Sequence, residues 1–440
     1  MNDYCEQYKA FLDVSKTERE CVVSAIRLAE AKGFKPYTPG MDIAPGDKLY
    51  YNNRGKAIML MIIGQKPLSE GANIGAAHTD APRLDFKPNP LYEDAELAYL
   101  KTHHYGGVRK YQWVTVPLEL HGLVVRRDGS EVYVKIGDDP KDPQLVINDL
   151  LPHLGREQGK KPLNEAIPSE TLNILVGSRP LRDDDGSDRV KVEVLRLLNE
   201  KYGITEEDFI SAELEAVPAA NARDIGLDRS LIGAYGHDDR VCAYPSMMAV
   251  LDYEGTPEYT LCCIVTDKEE IGSVGATGMA SHYLENTVAE LYACTADYCE
   301  LAVRRCLRNS RMLSSDVSAG YDPNFASAFE KKNSAFLGRG ICFNKFTGSR
   351  GKSGSNDASA EVVGKLRKIF ADNGVVWQMS ELGKVDQGGG GTVAQYMANR
   401  NIDTIDAGTP VFSMHAPFET VTKFDCYQTY KAMWAFYKDR

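Results

Sequence analysis

Five short segments of the chain carry side chains of the kinds that bind metal ions or move protons in enzymes. They are His78-Thr79-Asp80, His237-Asp238-Asp239, Glu269-Glu270, Asp316 and His415. Imidazoles combined with several carboxylates suit zinc, manganese or cobalt at neutral pH. Two such ions roughly 3.5–4 Å apart need one carboxylate that bridges them, and the pair activates water for hydrolysis. The residue types therefore predict a hydrolytic site with two divalent metal ions.

Each segment on its own also has an ordinary structural explanation. A His near an Asp is common on surfaces, a Glu-Glu pair is often a solvated face, and a lone Asp after a strand often caps a helix. Most of the segments, however, follow apolar strand-like runs, at 73–77, 259–265, 312–315 and 404–413, whereas Asp238 precedes a helical pattern. Functional groups gather outside the carboxyl ends of strands in an open α/β sheet. We therefore expect the segments to meet in one crevice.

Two pairs of residues suggest a division of roles within the predicted site. A ligating imidazole needs a partner on its second nitrogen, and Asp80 could provide it for His78. Glu269 and Glu270 would point to opposite faces of a strand, but a loop containing glycines could turn both carboxylates inward. One glutamate could then bind metal while the other accepts a proton.

The remaining pattern predicts an α/β fold with a mostly parallel sheet flanked by helices. Residues 3–33 read as one or two helices, and 49–51 with 57–63 read as a β-hairpin. From about residue 212, strand-like runs alternate with helical patterns at 242–253, 278–288 and 392–399, which is typical of a parallel sheet. We predict a discontinuous catalytic domain of residues 1–87 and 212–440.

Residues 88–211 have a different texture and are predicted to be an inserted β-rich domain. Runs at 118–125 and 131–136 flank Arg-Asp-Gly-Ser and predict a hairpin, and polar loop-like stretches lie at 138–143, 155–162 and 183–188. The first half is apolar, with Trp113, Val114, Val116, Leu118, Leu120, Leu123 and Val124. A unit of this size would gain from burying apolar surface against a partner subunit.

Composition limits the class of protein. The chain has 440 residues, 43% hydrophobic and 26% charged, with a net charge of -11, which argues against nucleic acid or an anionic membrane as a partner. No run approaches 18 apolar residues, and the N-terminus has no secretory pattern. The ten cysteines form no CxxC pair, so we expect reduced thiols and a cytoplasmic location. The glycine run 388–391 lacks the Gly-Lys-Ser/Thr ending of a phosphate loop, so close loop packing is favoured.

In their order along the chain, these segments resemble the aspartyl aminopeptidase family of dinuclear zinc metallopeptidases. The matching stretches are Ala-Ala-His78-Thr-Asp80-Ala-Pro-Arg-Leu, Asp238-Asp-Arg, Asp-Lys-Glu269-Glu270-Ile-Gly-Ser, Ser-Ser-Asp316, Lys384-Val-Asp-Gln-Gly-Gly-Gly-Gly-Thr392 and Ser-Met-His415-Ala-Pro-Phe-Glu419. The loop at 345–357 looks like the version found in bacterial members, which need not share the acidic-residue preference in the family name. The resemblance implies hydrolysis of the N-terminal residue of peptides.

The same resemblance implies a set of metal ligands. His78 and Asp316 would hold one ion, and Asp238 would bridge it to the second. Glu270 and His415 would hold the second ion. The ions would be zinc, with manganese or cobalt as alternatives.

Other roles also follow from the resemblance. Glu269 would be the general base and Asp80 would orient the ligating His78. The bridging Asp is usually followed by Asn in the family, whereas Asp239 follows it here; either residue can stand behind the ligands. The inserted domain would pair subunits, in a dodecamer built from dimers, and His153 matches a histidine that a neighbouring subunit lends to the site. Lys352 could pair with an acidic side chain of the substrate or be a solvated loop lysine.

Two rival functions remain open from the sequence. A carboxypeptidase or amide deacylase on the same scaffold would need an arginine for a free carboxylate, and Arg83 or Arg240 could provide it. A catalytically idle assembly protein would be favoured by a missing ligand or base, and none is missing. Because the set of ligands and the base is complete, a peptide hydrolase is the preferred interpretation.

Overall fold

The structure is a computed structural model that describes residues 1–182 and 186–439. Three residues of the predicted polar stretch 183–188, and Arg440, therefore lie outside the described residues. Ten α-helices form within the described part: α1 Asn2–Val14, α2 Glu18–Ala31, α3 Leu163–Ala166, α4 Arg189–Tyr202, α5 His237–Leu251, α6 Tyr283–Thr295, α7 Glu300–Asn309, α8 Ala360–Asp372, α9 Ala394–Ala398 and α10 Lys423–Lys438.

Strands make up the second set of elements. They are β1 Lys35–Pro36, β2 Lys48–Asn53, β3 Ala57–Ile62, β4 Ala72–His78, β5 Arg83–Asp94, β6 Leu97–Tyr105, β7 Leu118–Val125, β8 Glu131–Ile136, β9 Ile174–Gly177, β10 Ala212–Pro218, β11 Arg223–Ile225, β12 Leu231–Ala234, β13 Thr260–Thr266, β14 Arg311–Ser314, β15 Ser318–Ala319, β16 Ile341–Asn344, β17 Trp377–Met379, β18 Asp403–Gly408, β19 Pro410–Val411 and β20 Glu419–Thr422. The predicted helices near the N-terminus and the hairpins β2–β3 and β7–β8 are confirmed.

The chain divides into two compact units. The first consists of residues 1–81, 222–414 and 419–440, and the second of residues 82–221 and 415–418. The first unit contains a nine-stranded sheet in the order β1-β2-β3-β13-β4-β14-β18-β16-β17. Its centre, β13-β4-β14-β18, is parallel throughout, whereas the β2–β3, β3–β13 and β16–β18 pairs are antiparallel. The sheet is therefore mixed, with a parallel core, in an α/β fold.

The alternation of side chains along the sheet separates two hydrophobic clusters. In β3, Ile58, Leu60 and Ile62 join the cluster that contains residues of α1, α2, α5, α8 and α10. Met59 and Met61 of the same strand join the cluster that contains residues of α6, α7 and α9. Successive residues of a strand point to opposite faces. A strand covered on both faces reads as a continuous apolar run, which is why these strands were recognisable from the sequence.

The second unit contains a six-stranded antiparallel sheet in the order β8-β7-β10-β5-β6-β9. Trp113, Leu118, Leu120, Leu123 and Val124 are all buried. Val114 and Val116 are half-buried. Five of the seven apolar residues named from the sequence are therefore buried within the chain, and the pairing of subunits through this region stays a prediction.

Helix boundaries differed most from the sequence-based expectation. The pattern at 278–288 corresponds to α6, which begins later, at Tyr283, and the pattern at 392–399 yields only the short α9. The pattern at 242–253 corresponds to α5, whose described start is His237. No helix in the described part of the chain combines the length and the hydropathy that crossing a membrane requires.

Two glycines test how closely the elements of the first unit pack. A Cβ at Gly64 would lie 2.4 Å from the main-chain nitrogen of Thr260, at the start of β13. Gly364 lies inside α8, where a Cβ would meet nothing within 4 Å. We expect Gly64→Ala to lower the free energy of unfolding by about 1–3 kcal/mol through overpacking. Gly364→Ala should raise it by about 0.5–1 kcal/mol through helix propensity. Urea denaturation of both variants measures the two effects, and equal shifts would contradict the packing described.

Candidate active site

Three adjacent parallel strands place candidate residues at one edge of the sheet. His78 is the last residue of β4, and β13 and β14 lie on either side of that strand in parallel. Glu269 opens a short 3-10 turn, Glu269–Ile271, soon after β13 ends, and Asp316 follows β14. Because parallel strands end at the same edge, residues distant in sequence meet there.

The first turn of α5 brings two aspartates to the same place. Asp238 and Asp239 have non-helical main-chain angles, and a cis peptide bond joins them. The Oδ1 atom of Asp238 lies 3.4 Å from Nε2 of His78, and Oδ2 of Asp239 accepts the His78 main-chain N–H at 3.3 Å. The two carboxylates therefore contact different parts of the histidine, its imidazole and its main chain.

Asp80 connects the histidine to the two glutamates. Its main-chain oxygen lies 3.0 Å from Nδ1 of His78, and its Oδ1 lies 3.3 Å from the same nitrogen. The two carboxylate oxygens accept the main-chain N–H groups of Glu269 and Glu270, each at 3.1 Å. Asp80 is fully buried. One carboxylate thus fixes both the imidazole ring and the loop after β13.

The electrostatics of this cluster favour a bound cation. Burial raises the pKa of Asp316 well above its usual range, and repulsion from Asp239 and Glu269 raises it further. Burial alone would lower the pKa of the His78 imidazole, but hydrogen bonds to Asp238 and Asp80 raise it well above 6.5. Crowded carboxylates hold protons because like charges cannot all ionise together. A divalent cation would relieve the same repulsion.

Donor geometry agrees with the electrostatics. Ligand atoms of His78, Asp239 and Asp316 lie within 4.8 Å of one another, and so do those of His78, Glu269 and Glu270. The buried Nε2 atom of His78 lies 3.4 Å from Oδ1 of Asp238 and 3.9 Å from Oε2 of Glu269. Imidazole nitrogen and carboxylate oxygen are the donors that zinc takes in catalytic sites. The residues present therefore fit zinc.

His415 lies in the segment 415–418, which belongs to the second compact unit. Its Nδ1 atom lies 3.0 Å from the main-chain oxygen of Gly107 in the same unit. A carbonyl partner of this kind fixes the tautomer and leaves Nε2 as the nitrogen with a lone pair. The assignment of His415 as a metal ligand stays a prediction.

Two residues near the cluster were not given a role from the sequence. The Oε2 atom of Glu419 accepts the main-chain N–H of Asp238 at 3.0 Å, and Glu419 is buried. A Cβ at Gly408 would lie 1.8 Å from the main-chain oxygen of Asp316. The carboxylate four residues after His415 was visible in the sequence, but its partner depends on the pairing of β12 with β20.

The arginines nominated for a carboxypeptidase are engaged inside the protein. Arg240 is buried and donates to the main-chain oxygens of Lys16 and Thr79. Arg83, in the second unit, is buried and pairs with Asp85 and Glu215. Neither observation supports an anchor for a substrate carboxylate.

Two loop features have structural explanations. Lys352 lies 2.9 Å from Asp357 and 4.0 Å over the ring of Phe346, as expected for a loop lysine. A Cβ at Gly388 would lie 1.8 Å from the main-chain oxygen of Leu382, and one at Gly389 would lie 2.3 Å from that of Gly348. The glycine run is therefore needed for close packing of the loop, as the sequence favoured.

Comparison with known proteins agrees with these observations. Residues 11–437 match the family described as aminopeptidase I zinc metalloprotease (M18). A probable M18 family aminopeptidase 1 from Clostridium acetobutylicum is 51% identical over 435 residues, covering 98% of this chain and 93% of the relative. The crystal structure of an M18 aminopeptidase from Thermotoga maritima has a TM-score of 0.95 and 42% identity, covering 100% of this chain and 96% of that one.

A more distant structure shows the same fold. The mApe1 dodecamer from yeast has a TM-score of 0.81 and 21% identity, covering 100% of this chain and 97% of that one. The family match spans nearly the whole chain, and the bacterial relatives are alike over almost their full lengths. The chain therefore belongs to the M18 family and is a zinc metallo-aminopeptidase.

Proposed function

We propose that the cluster at the carboxyl ends of β4, β13 and β14 holds two zinc ions and hydrolyses the first peptide bond of peptide substrates. The observation that carries the proposal is the convergence of an imidazole and several carboxylates on one buried edge. His78, Asp238 and Asp316 would hold one ion, and Asp238 would be shared with the second. Glu270 is assigned to the second ion, and His415 joins it by resemblance to the family.

Two contacts support Asp238 rather than Asp239 as the bridging ligand. Asp238 faces the imidazole Nε2, whereas Asp239 accepts the main-chain N–H of His78. Because Asp239 already accepts an N–H group, it is better suited to orient the ligand His78 than to bind the metal itself. The Glu419 carboxylate in turn fixes the Asp238 main chain by accepting the N–H group of Asp238.

Glu269 is proposed as the general base. Its Oε2 atom lies 3.9 Å from Nε2 of His78, and its side chain is 16% exposed, so it borders the cluster without being sealed in. The chemistry that bound zinc supplies is polarisation of the scissile carbonyl and acidification of the attacking water. Glu269 would accept a proton from the attacking water as the O–C bond forms, and would donate it to the leaving amine as the C–N bond breaks.

We also propose that the protein is a homo-oligomer, a dodecamer built from dimers. The support within this chain is a loop of the second unit in which Leu150, Leu151 and Leu154 are 54%, 50% and 67% exposed. Clustered exposed leucines mark interaction surfaces more often than isolated ones do. His153 lies on the same exposed loop. The yeast relative with the same fold is a dodecamer.

A cytoplasmic location is proposed on the state of the thiols. All ten cysteines are free, and eight of them are buried. Free thiols in this number suit a reducing compartment.

The neighbouring glutamates separate the base from the ligand experimentally. Glu269→Gln should keep two zinc ions per chain and lose kcat by about a hundredfold or more, because amide cannot accept the proton. Glu270→Gln is the matched control and should lose mainly one ion. Elemental analysis and kinetics on aminoacyl amides measure both. Loss of zinc from Glu269→Gln, or a near-normal kcat, would reverse or remove the two assignments.

Asp80→Asn tests the carboxylate that links the imidazole to the glutamate loop. An asparagine presents one oxygen and one NH₂ group, so it can no longer accept both the Glu269 and Glu270 N–H groups. We expect kcat to fall about ten- to a hundredfold, with a smaller change in KM. Amide hydrogen exchange in the loop 268–277 should quicken in the variant. Unchanged exchange at these amides would argue against the linking role.

Light scattering tests the assembly. The double variant Leu151→Asp/Leu154→Asp should dissociate the oligomer, since charge at a buried interface is costly. Leu227→Asp is the matched control, because Leu227 is an exposed leucine of the first unit and should tolerate the change. A wild-type protein that stays monomeric at micromolar concentration would refute both the dimer and the dodecamer.

A further inference from the structure

Arg240 is a buried cation immediately after the two aspartates at the start of α5. Only 1% of the residue is exposed. Its Nε and Nη2 atoms donate to the main-chain oxygen of Thr79 at 3.2 and 3.0 Å, and Nη2 also donates to the main-chain oxygen of Lys16 at 3.0 Å. The guanidinium thus donates hydrogen bonds to the carbonyl groups of two segments that are distant in sequence.

The burial of Arg240 against main-chain carbonyl groups has a free-energy cost. Removing a guanidinium from water costs several kcal/mol, and hydrogen bonds to carbonyl groups offset less of this free energy than a pairing with a carboxylate would. Cation–π contact adds a little, since the guanidinium carbon lies 5.3 Å from the centre of the Tyr235 ring. A neutral apolar side chain would avoid the cost of burial. The contacts therefore indicate that the hydrogen bonds to the Thr79 carbonyl have a function.

Thr79 lies between the imidazole and the carboxylate that orients it. Its main-chain N–H donates to the oxygen of Thr266 at the end of β13, at 2.9 Å. Its carbonyl receives two donors from Arg240 on the other side. The planar fork of a guanidinium fixes direction as well as distance, which a lysine ammonium cannot do. The residue between His78 and Asp80 is thus held on both sides.

Gly236 makes room for this contact. A Cβ at that position would lie 2.1 Å from Nη1 of Arg240, so any larger residue would displace the guanidinium. The main-chain N–H of Arg240 donates to the oxygen of Gly236 at 3.3 Å. The turn that begins α5 therefore accommodates the arginine as well as the two aspartates.

We infer that Arg240 is a positioning residue that holds the His78–Thr79–Asp80 turn in the shape needed to bind zinc. It acts through the Thr79 carbonyl and touches neither metal nor substrate. The inference rests on the proposed role of His78 as a ligand. It replaces the idea that Arg240 anchors a substrate carboxylate.

Zinc affinity of the stripped, reloaded full-length protein tests the inference. Arg240→Met should weaken zinc binding about ten- to a hundredfold, the usual effect of removing a partner behind a metal ligand. The value of kcat should fall more than KM rises. Arg240→Lys keeps the positive charge but lacks the planar guanidinium, so the variant should fold. Its zinc affinity should nevertheless be weaker than that of the wild type by about tenfold, the lower limit expected for Arg240→Met. Competition with a zinc indicator and a thermal melt are measured for each variant.

Arg311→Met is the matched control. The Arg311 side chain is 11% exposed and lies at the opposite end of β14, paired with Asp439. Arg311→Met should lower the melting temperature without changing zinc affinity. If destabilisation alone weakened zinc binding, Arg240→Met and Arg311→Met would both lose zinc affinity. Wild-type zinc affinity in Arg240→Met or Arg240→Lys, or an equal loss in Arg311→Met, would overturn the inference. His78→Ala is measured alongside: wild-type zinc affinity in that variant would refute the ligand assignment instead.

Discussion

The cluster of imidazole and carboxylates depends on the three residues His78, Thr79 and Asp80 at the end of the central strand β4. His78 turns its imidazole towards Asp238, and its main-chain N–H binds Asp239. Asp80 receives the two N–H groups of the glutamate loop. Most of these bonds use main-chain atoms, which cannot move without moving the strand. The turn therefore makes the positions of His78 and of the glutamate loop depend on the hydrogen-bonded core of the sheet.

Crowded charge is the second constraint on the site. Several carboxylates are packed at one sheet edge, and burial together with mutual repulsion raises the pKa of Asp239 and Asp316. Main-chain N–H groups stabilise part of this charge: Asp80 accepts those of Glu269 and Glu270, and Glu419 accepts that of Asp238. Burial of like charges is costly unless cations accompany them. A divalent cation bound at the cluster would supply the positive charge that the cluster lacks, so cation binding and the folded arrangement of the site would be linked.

The two compact units use their apolar residues differently. The first covers its sheet on both faces with helices, whereas the second buries Trp113 and the strands β7 and β10 within an antiparallel sheet. Three exposed leucines of the second unit, Leu150, Leu151 and Leu154, lie on one loop. A surface made of a loop rather than a strand can vary without disturbing the core. The exposed loop leucines and the buried carboxylate cluster thus belong to different segments of the chain.

The sequence by itself determined the α/β class, the hairpins, the central strands and the residues that could bind metal, because these depend on local periodicity and residue type. Continuous apolar runs identified β3, β4 and β13, since strands covered on both faces carry no polar alternation. The tertiary structure decided that Glu419 holds the Asp238 main chain, that Gly408 must lack a side chain beside Asp316, and that Arg240 is buried against Thr79. It also decided that the first turn of α5 contains non-helical residues and that most of the apolar residues between 113 and 124 are buried. The contacts of Glu419 and Arg240 join residues 181 and 161 positions apart in the sequence. No local pattern encodes such contacts, because the strand order that brings the segments together is set by the packing of the whole sheet.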